Sequence, residues 1–414
     1  MKKFLLKTIM TFSIIFIFLF SLTMLIEYKN KDELKEKVNV EASINKKGEI
    51  EVPKTPGKVE ANYEFSKFYF YSSLILSIGT PILFYKYGGI EVIKKKNFKK
   101  KFFEGGALCI IYSLFSEFLM FPKILFSSFY RGRLVGLRHY DFLTFIKQYL
   151  TDGIIGSIIG LFVLIILYLI FIKTKRWNII IAVLAIIFNL GSNFIYPYID
   201  EAENNLINMK DCELRDKILD LAKESGIKNL DIRVVVKSNE TNSMNAYMTG
   251  IGSSRRIVFW DTTLKGMSED EILSVAAHEM GHYKLDHINK SMVLSSIGII
   301  VLCIAIDIIM KKIKGSDYRK IENIPIMIVI ISLLTLVATP IETWYSRKIE
   351  IEADTFAMEV TNDGYTNGKL EIRFINSNLT PIDVDPLYKW LNYDHPTAKE
   401  RIDLSNKFIN ENKE

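Results

Sequence analysis

The chain has 414 residues, 49% of them hydrophobic, a mean hydropathy of +0.17 and a formal net charge of +6. That apolar content is high for a soluble protein of this length and is gathered into long runs, which argues against a water-soluble globule. The basic excess sits in short loops beside those runs, as at Lys94-Lys95-Lys96 and Lys99-Lys100-Lys101, the pattern of loops at an anionic membrane face and not of a nucleic-acid surface.

In chain order, seven runs are candidate membrane spans: 8–26, 68–85, 107–121, 153–172, 177–195, 291–310 and 324–339. The third is short and contains Glu117, and the seventh ends at Pro340. The first follows Met1-Lys2-Lys3, is long for a signal sequence and lacks a small-x-small cleavage site, so it reads as a retained anchor. Residues 1–64 form this anchor and a polar, Lys- and Glu-rich loop from 27 to 64, expected to be flexible. Residues 65–197 carry spans two to five. Within them the segment 122–152 sets Phe126, Phe129, Tyr130, Phe142, Phe145 and Tyr149 beside Arg131, Arg133 and Arg138, which suits an interfacial amphipathic segment or a substrate-gating loop. Glu104, Glu117 and Asp307 lie in or beside spans and should face protein or water, since a charge in lipid costs at least about 2.5 kcal/mol. Cys109, Cys212 and Cys303 make no disulfide pattern.

Residues 198–290 are the largest soluble region. Leu206, Ile207, Leu214, Ile218 and Leu221 recur at helical spacing, so a helix is expected through Lys223 and ended by Gly226. Strands are expected at 232–236 and 256–260, with a third between Ser243 and Gly250. Ser268-Glu269-Asp270-Glu271 has the capping-box form and opens a helix running to about Asp286. Residues 291–340 carry spans six and seven. Residues 341–414 begin with a polar helix, about 342–360, and end in a soluble segment.

His278-Glu279-Met280-Gly281-His282 stands on the capped helix. Residues i and i+4 share a helical face, so both imidazoles reach one ion, and Glu279 lies beside them to act on water. This is the H-E-x-x-H zinc pattern, and it lacks one protein ligand. A histidine six residues after the second is one way to complete it, but Ile288 stands there. His287 is one residue off and points away on a straight helix, which makes it a structural or surface histidine. A carboxylate from a later helix is the other way. Glu350 and Asp354, four apart, share a face that Glu352 does not, so Glu350 suits the metal and Asp354 the outer N–H of a ligating imidazole.

The chain resembles the type 1 CAAX prenyl protease family of membrane zinc endopeptidases. The resemblance is carried by Asn245-Ala246-Tyr247 with Gly250, by Arg256-Ile257-Val258 and Asp261-Thr262-Thr263-Leu264, and by the H-E-M-G-H helix with Tyr283-Lys284-Leu285. Ser346-Arg347 through Glu350 and Ala353-Asp354 extend it, as does His395-Pro396-Thr397-Ala398-Lys399-Glu400-Arg401, where Thr397 replaces a common second proline. It implies an all-α-dominated polytopic membrane protein, with about seven helices around a water-filled chamber and a small zincin-like α+β domain closing one end. It implies one Zn2+ per chain on His278, His282 and Glu350, with Glu279 as general base. Asn245, Ala246 and Tyr247 would form the edge against which an extended substrate adds, while His395 and Arg401 would stand near the site, donating to the oxyanion or bracing ligands.

The expected partners are a peptide or membrane-protein substrate bound in extended form and the lipid bilayer, with no nucleic acid. Lys-, Ile- and Asn-rich composition suggests an AT-rich microbial genome, hence a bacterial plasma membrane and a substrate other than a prenylated one. The Lys/Arg loops 94–101, 173–176 and 311–320 place the N terminus inside. An HtpX-like quality-control peptidase shares the zinc helix but should have fewer spans. A catalytically inactive receptor or scaffold should have lost one of His278, Glu279, His282 or Glu350.

Overall fold

The computed structural model describes residues 1–412. The membrane half comprises α1 (Lys2–Lys29), α2 (Gly57–Lys86), α3 (Lys101–Ile124), α4 (Phe142–Lys173) and α5 (Trp177–Asn204). Then come β1 (Ile207–Asn208), α6 (Glu213–Glu224), β2 (Asp231–Val235), β3 (Ala246–Thr249), β4 (Arg256–Trp260) and α7 (Glu269–Lys284). The chain continues through α8 (His287–Lys314), α9 (Ile324–Thr361), α10 (Gly364–Asn378), α11 (Pro386–Asn392) and α12 (Ala398–Glu411).

Among the described residues six helical stretches are long and apolar enough to cross a membrane: α1, α2, α3 with its continuation to Leu134, α5, α8 and α9. The Gly160–Lys173 part of α4 is a shorter apolar stretch, so each of the seven expected spans lies on a long helix. Between 6% and 28% of the apolar window of each of the six is buried, as suits helices whose solvent is lipid. The helices α2, α3, α4, α5, α8 and α9 pack each on the next, and α9 returns to α2, closing a ring; α1 lies against α2 and α3. An apolar cavity of about 570 Å³ lies within it, with Glu117 in its wall. Glu117 accepts from Tyr149, Glu104 from Tyr168, and Asp307 from Tyr318 and Lys311, so none of the three carboxylates is left to lipid.

Two apolar clusters close the ring at opposite ends. Phe4, Phe84, Ile93, Phe171, Trp177, Met310 and Tyr318 gather beside the lysine-rich loops. Leu19, Phe65, Phe126, Leu379 and Ala398 gather at the other end, under the extramembrane elements. There a four-stranded sheet runs in the order β1-β2-β4-β3, with β2 and β4 parallel and the outer pairs antiparallel. Ile257, Val258 and Phe259 of β4 are fully buried, and Ile272, Val275, Ala276 and Met280 of α7 cover the sheet.

Several expectations change. The helix expected through Lys223 is two helices. Asn205 takes a left-handed φ of +49°, and Ile207 and Asn208 leave it to pair with Val234 and Arg233. The capped helix stops at Lys284, not Asp286. The last span and the third-ligand helix are one helix of 38 residues that continues through Pro340. At ~1.5 Å per residue it is about twice as long as a bilayer is thick, so its second half stands clear of the membrane. Helical structure also continues past Pro122, through a π-helical turn at Leu125–Tyr130, to Leu134. Finally, the polar loop is ordered. The Asn376 side chain bonds both backbone groups of Val40, Asn406 does the same for Ile50, and Ile50 is buried with Ile372, Ile402 and Ile409.

Candidate metal centre

The Ser268 hydroxyl accepts from the Glu271 N–H and the Glu271 carboxylate accepts from the Ser268 N–H, completing the expected capping box and fixing where α7 begins. Ten residues into that helix come His278, Glu279 and His282. The helix α9 crosses closely at Gly281, where a Cβ would stand 3.2 Å from both the Cα and the carbonyl oxygen of Ala353. Only a glycine opposite an alanine lets the two backbones approach so far, and that approach carries Glu350 and Asp354 to the histidines.

The ligand geometry fits one ion. His278 Nε2 is 3.1 Å from His282 Nε2 and 3.3 Å from Glu350 Oε2, and His282 Nε2 is 3.4 Å from Glu350 Oε1. Tetrahedral bonds of about 2.0–2.2 Å set donors roughly 3.3–3.6 Å apart. Glu350 Oε2 is moreover buried without a hydrogen-bond partner, a cost that a cation would remove. Among the described residues these three form the group able to hold a metal.

Both imidazoles are held from behind. His278 Nδ1 lies 2.8 Å from Asp354 Oδ1, and the half-buried Arg401 forks onto the same carboxylate, with Nε 2.7 Å from Oδ2. Arg401 also reaches Glu371 at 3.3 Å. Burial opposes charge on His278, but the Asp354 and Glu350 carboxylates overcome it and raise its pKa to about 10; burial and the adjacent His278 push His282 down to about 3. His282 Nδ1 lies 3.0 Å from His287 Nδ1, and His287 Nε2 3.1 Å from Glu352. Were His282 to hold a metal through Nε2, its Nδ1–H would donate to His287, whose Nε2–H would donate to Glu352.

His287 is therefore no surface residue but a buried support, 2% exposed. Five positions along a straight helix would turn it about 140° away from His282. Instead α7 ends, Asp286 adopts a left-handed φ of +60°, and α8 starts in a new direction at His287. The left-handed residue was the missing signal, and Asp is among the few residue types that take it readily.

Glu279 faces the sheet. Its Oε2 accepts the Met248 N–H at 2.9 Å, and burial raises its pKa to about 7, a value suited to taking and returning a proton. Of the expected edge, β3 is indeed the outer strand, but it runs Ala246–Thr249, one step later than Asn245 to Tyr247. The Tyr247 hydroxyl turns away to Asp200. His395 lies across the site with Nε2 3.5 Å from Glu350 Oε2 and its Nδ1 2.9 Å from Asp394. Burial opposes its charge, but Asp394 and Glu350 hold its pKa above the ordinary histidine value. Arg347 of α9 bonds the carbonyls of Lys389 and Tyr393 and so fixes the segment that presents it. Thr397, in place of proline, caps α12 with Glu400. A cavity of about 530 Å³ joins these groups, walled by Asn367, Glu371, Phe374 and Tyr393, none of which the sequence had marked.

Residues 208–406 match the model of peptidase family M48, and residues 50–200 the CAAX prenyl protease N-terminal model of five membrane helices. An uncharacterised metalloprotease of Bacillus subtilis, YhfN, is 32% identical over 273 residues, 63% of this chain and 63% of that one. CAAX prenyl protease 1 of Saccharomyces cerevisiae is 30% identical over 238 residues, 51% of this chain and 52% of that one. The chain thus spans less than two thirds of either relative. The crystal structure of S. mikatae Ste24p superposes with a TM-score of 0.75 at 22% identity, covering 96% of this chain and 98% of that one, and so shares the fold.

Proposed function

We propose that this chain, whose residues 208–406 match peptidase family M48 and whose residues 50–200 match the CAAX prenyl protease N-terminal model, is an integral-membrane zinc endopeptidase. The observation that carries the reading is the convergence of His278, His282 and Glu350 at zinc spacing, with Glu279 beside them at the sheet edge. Zinc held there supplies a Lewis acid that polarises a carbonyl and makes water nucleophilic near neutral pH. Glu279 takes the proton of the attacking water and delivers it to the leaving amine. His395, turned by Asp394 so that Nε2 faces the site, donates to the developing oxyanion. Asp354 and Arg401 keep His278 in its ligating tautomer, and His287 with Glu352 does so for His282. A substrate segment lies extended along β3.

The curated relatives named for CAAX proteins suggest C-terminal substrates, but the composition favours unprenylated peptides or membrane-protein segments. The lysine-rich loops gather at the end of the ring opposite the metal centre, so the positive-inside rule puts that end in the cytoplasm of a bacterial plasma membrane and the centre on the other side. The test compares peptide N termini in cells carrying wild type and Glu279→Gln, with zinc measured in both purified proteins. Equal zinc and a set of cuts lost in the variant are expected. Identical peptide maps with zinc bound, or a wild type without zinc, would refute the proposal.

A further inference from the structure

We infer that Asn378 ends the track along which a substrate strand pairs, and so sets how many residues of substrate fit beyond the scissile bond. The inference rests on the peptidase reading above. The strand β3 is antiparallel to β4, and the Asn245 carbonyl accepts the Trp260 N–H at 3.0 Å. Backbone groups alternate along such a strand, so those of Asn245, Tyr247 and Thr249 face β4, and those of Met244, Ala246 and Met248 face the cleft. The Met248 N–H bears this out, since it points to Glu279.

At Met244 the cleft-facing pair is already taken. Its N–H donates to Asn378 Oδ1 at 2.8 Å, and its C=O accepts from Asn378 Nδ2 at 3.0 Å. The planar side-chain amide thus makes the two bonds that a paired strand residue would make. It is supplied from the last residue of α10, whose Phe374 and Leu370 wall the same cavity. A strand laid on Ala246 and Met248 therefore meets Asn378 one ladder step past Ala246, about 6.6–6.8 Å or two residues on.

Direction follows from pairing. An added strand is more stable antiparallel to β3, which turns its C-terminal end towards Met244 and Asn378. The other end is open. Past Met248 a cavity of about 450 Å³ continues between Asn193 of α5 and Ser291 and Ser295 of α8, beside the helix ring. The long part of a substrate lies on that side, and the fragment released between the scissile bond and Asn378 is short.

The experiment uses full-length protein in nanodiscs and a mixture of unmodified peptides of graded length, with products sized by mass spectrometry. Wild type is expected to release short C-terminal fragments, and Asn378→Ala to lengthen the commonest fragment by about two residues, one ladder step. Asn378→Ser, whose shorter side chain no longer spans both Met244 backbone groups, serves if the alanine variant does not fold, with the same lengthening expected. Fragments unchanged in length, or a wild type that releases long C-terminal pieces, would overturn the inference. Glu279→Gln separates this from the underlying reading: if it cuts as well as wild type, the peptidase assignment itself has failed.

Discussion

Replacing His287 tests how the metal centre is held. Phenylalanine fills the imidazole's volume and offers no acceptor, so His287→Phe leaves the Nδ1–H of His282 buried without a partner. The lost contact is 3.0 Å long, between side chains that are 17% and 2% exposed, so water does not readily replace it. A buried unsatisfied donor costs about 1–3 kcal/mol. At ~1.4 kcal/mol per tenfold that is roughly 5- to 150-fold, a range that brackets the ~10–100-fold loss usual when an imidazole's outer partner is removed. Zinc affinity should therefore fall about 10–100-fold. Glu352 is the contrast. Its side chain is 37% exposed, so water can take its place, and Glu352→Gln should cost under ~1 kcal/mol, within about fivefold. The assay is zinc competition against a chelator in a Glu279→Gln background, which prevents self-cleavage, with the melting temperature of metal-free protein as the control for folding. An unchanged zinc Kd in His287→Phe, with unchanged melting, would refute the relay.

Gly281→Ala places a methyl 3.1–3.2 Å from Phe356 and the Ala353 backbone, which cannot swing aside as a side chain can. Overpacking of ~1–3 kcal/mol should appear as a lower melting temperature and weaker zinc binding, because α9 carries Glu350; an alanine variant equal to wild type in both would show that the close crossing is not needed. Asp261 accepts from the Lys237 and Ser238 amides, the Ser238 hydroxyl and Lys265. Burial opposes its ionisation, but these donors outweigh it and hold the carboxyl well below the usual Asp range. A depressed carboxylate stabilises the fold above its unfolded pKa of about 3.9 and loses that contribution as pH falls below it. Asp261→Asn should therefore melt lower at pH 7, by ~1–3 kcal/mol, and match wild type more closely as pH drops through 4; a difference independent of pH would contradict this.

What was legible in the sequence is what one helix can place by itself. His278 and His282, or Glu350 and Asp354, meet because residues four apart share a face, and no knowledge of the rest of the chain is needed. The Ser268–Glu271 capping box is equally local. The supports that were missed depend on a bend or on chain ends far apart in sequence. His287 returns to the site only because Asp286 turns left-handed. Asn376, Asn378 and Asn406 look like ordinary polar helix residues, yet each uses its amide to satisfy both backbone groups of a distant residue: Val40, Met244 and Ile50. That substitution explains why a loop too polar to make a core is nonetheless ordered. Ile50 is buried and Val40 packs partly buried beside it, and the bonds to asparagine remove the cost of bringing their peptide groups in from water. It also ties three regions together. Through Asn376 and Asn378 the helix α10 grips the N-terminal strap and the root of β3 within one turn of itself, so the strap, although it touches no ligand, helps to fix where β3 ends and the cleft begins.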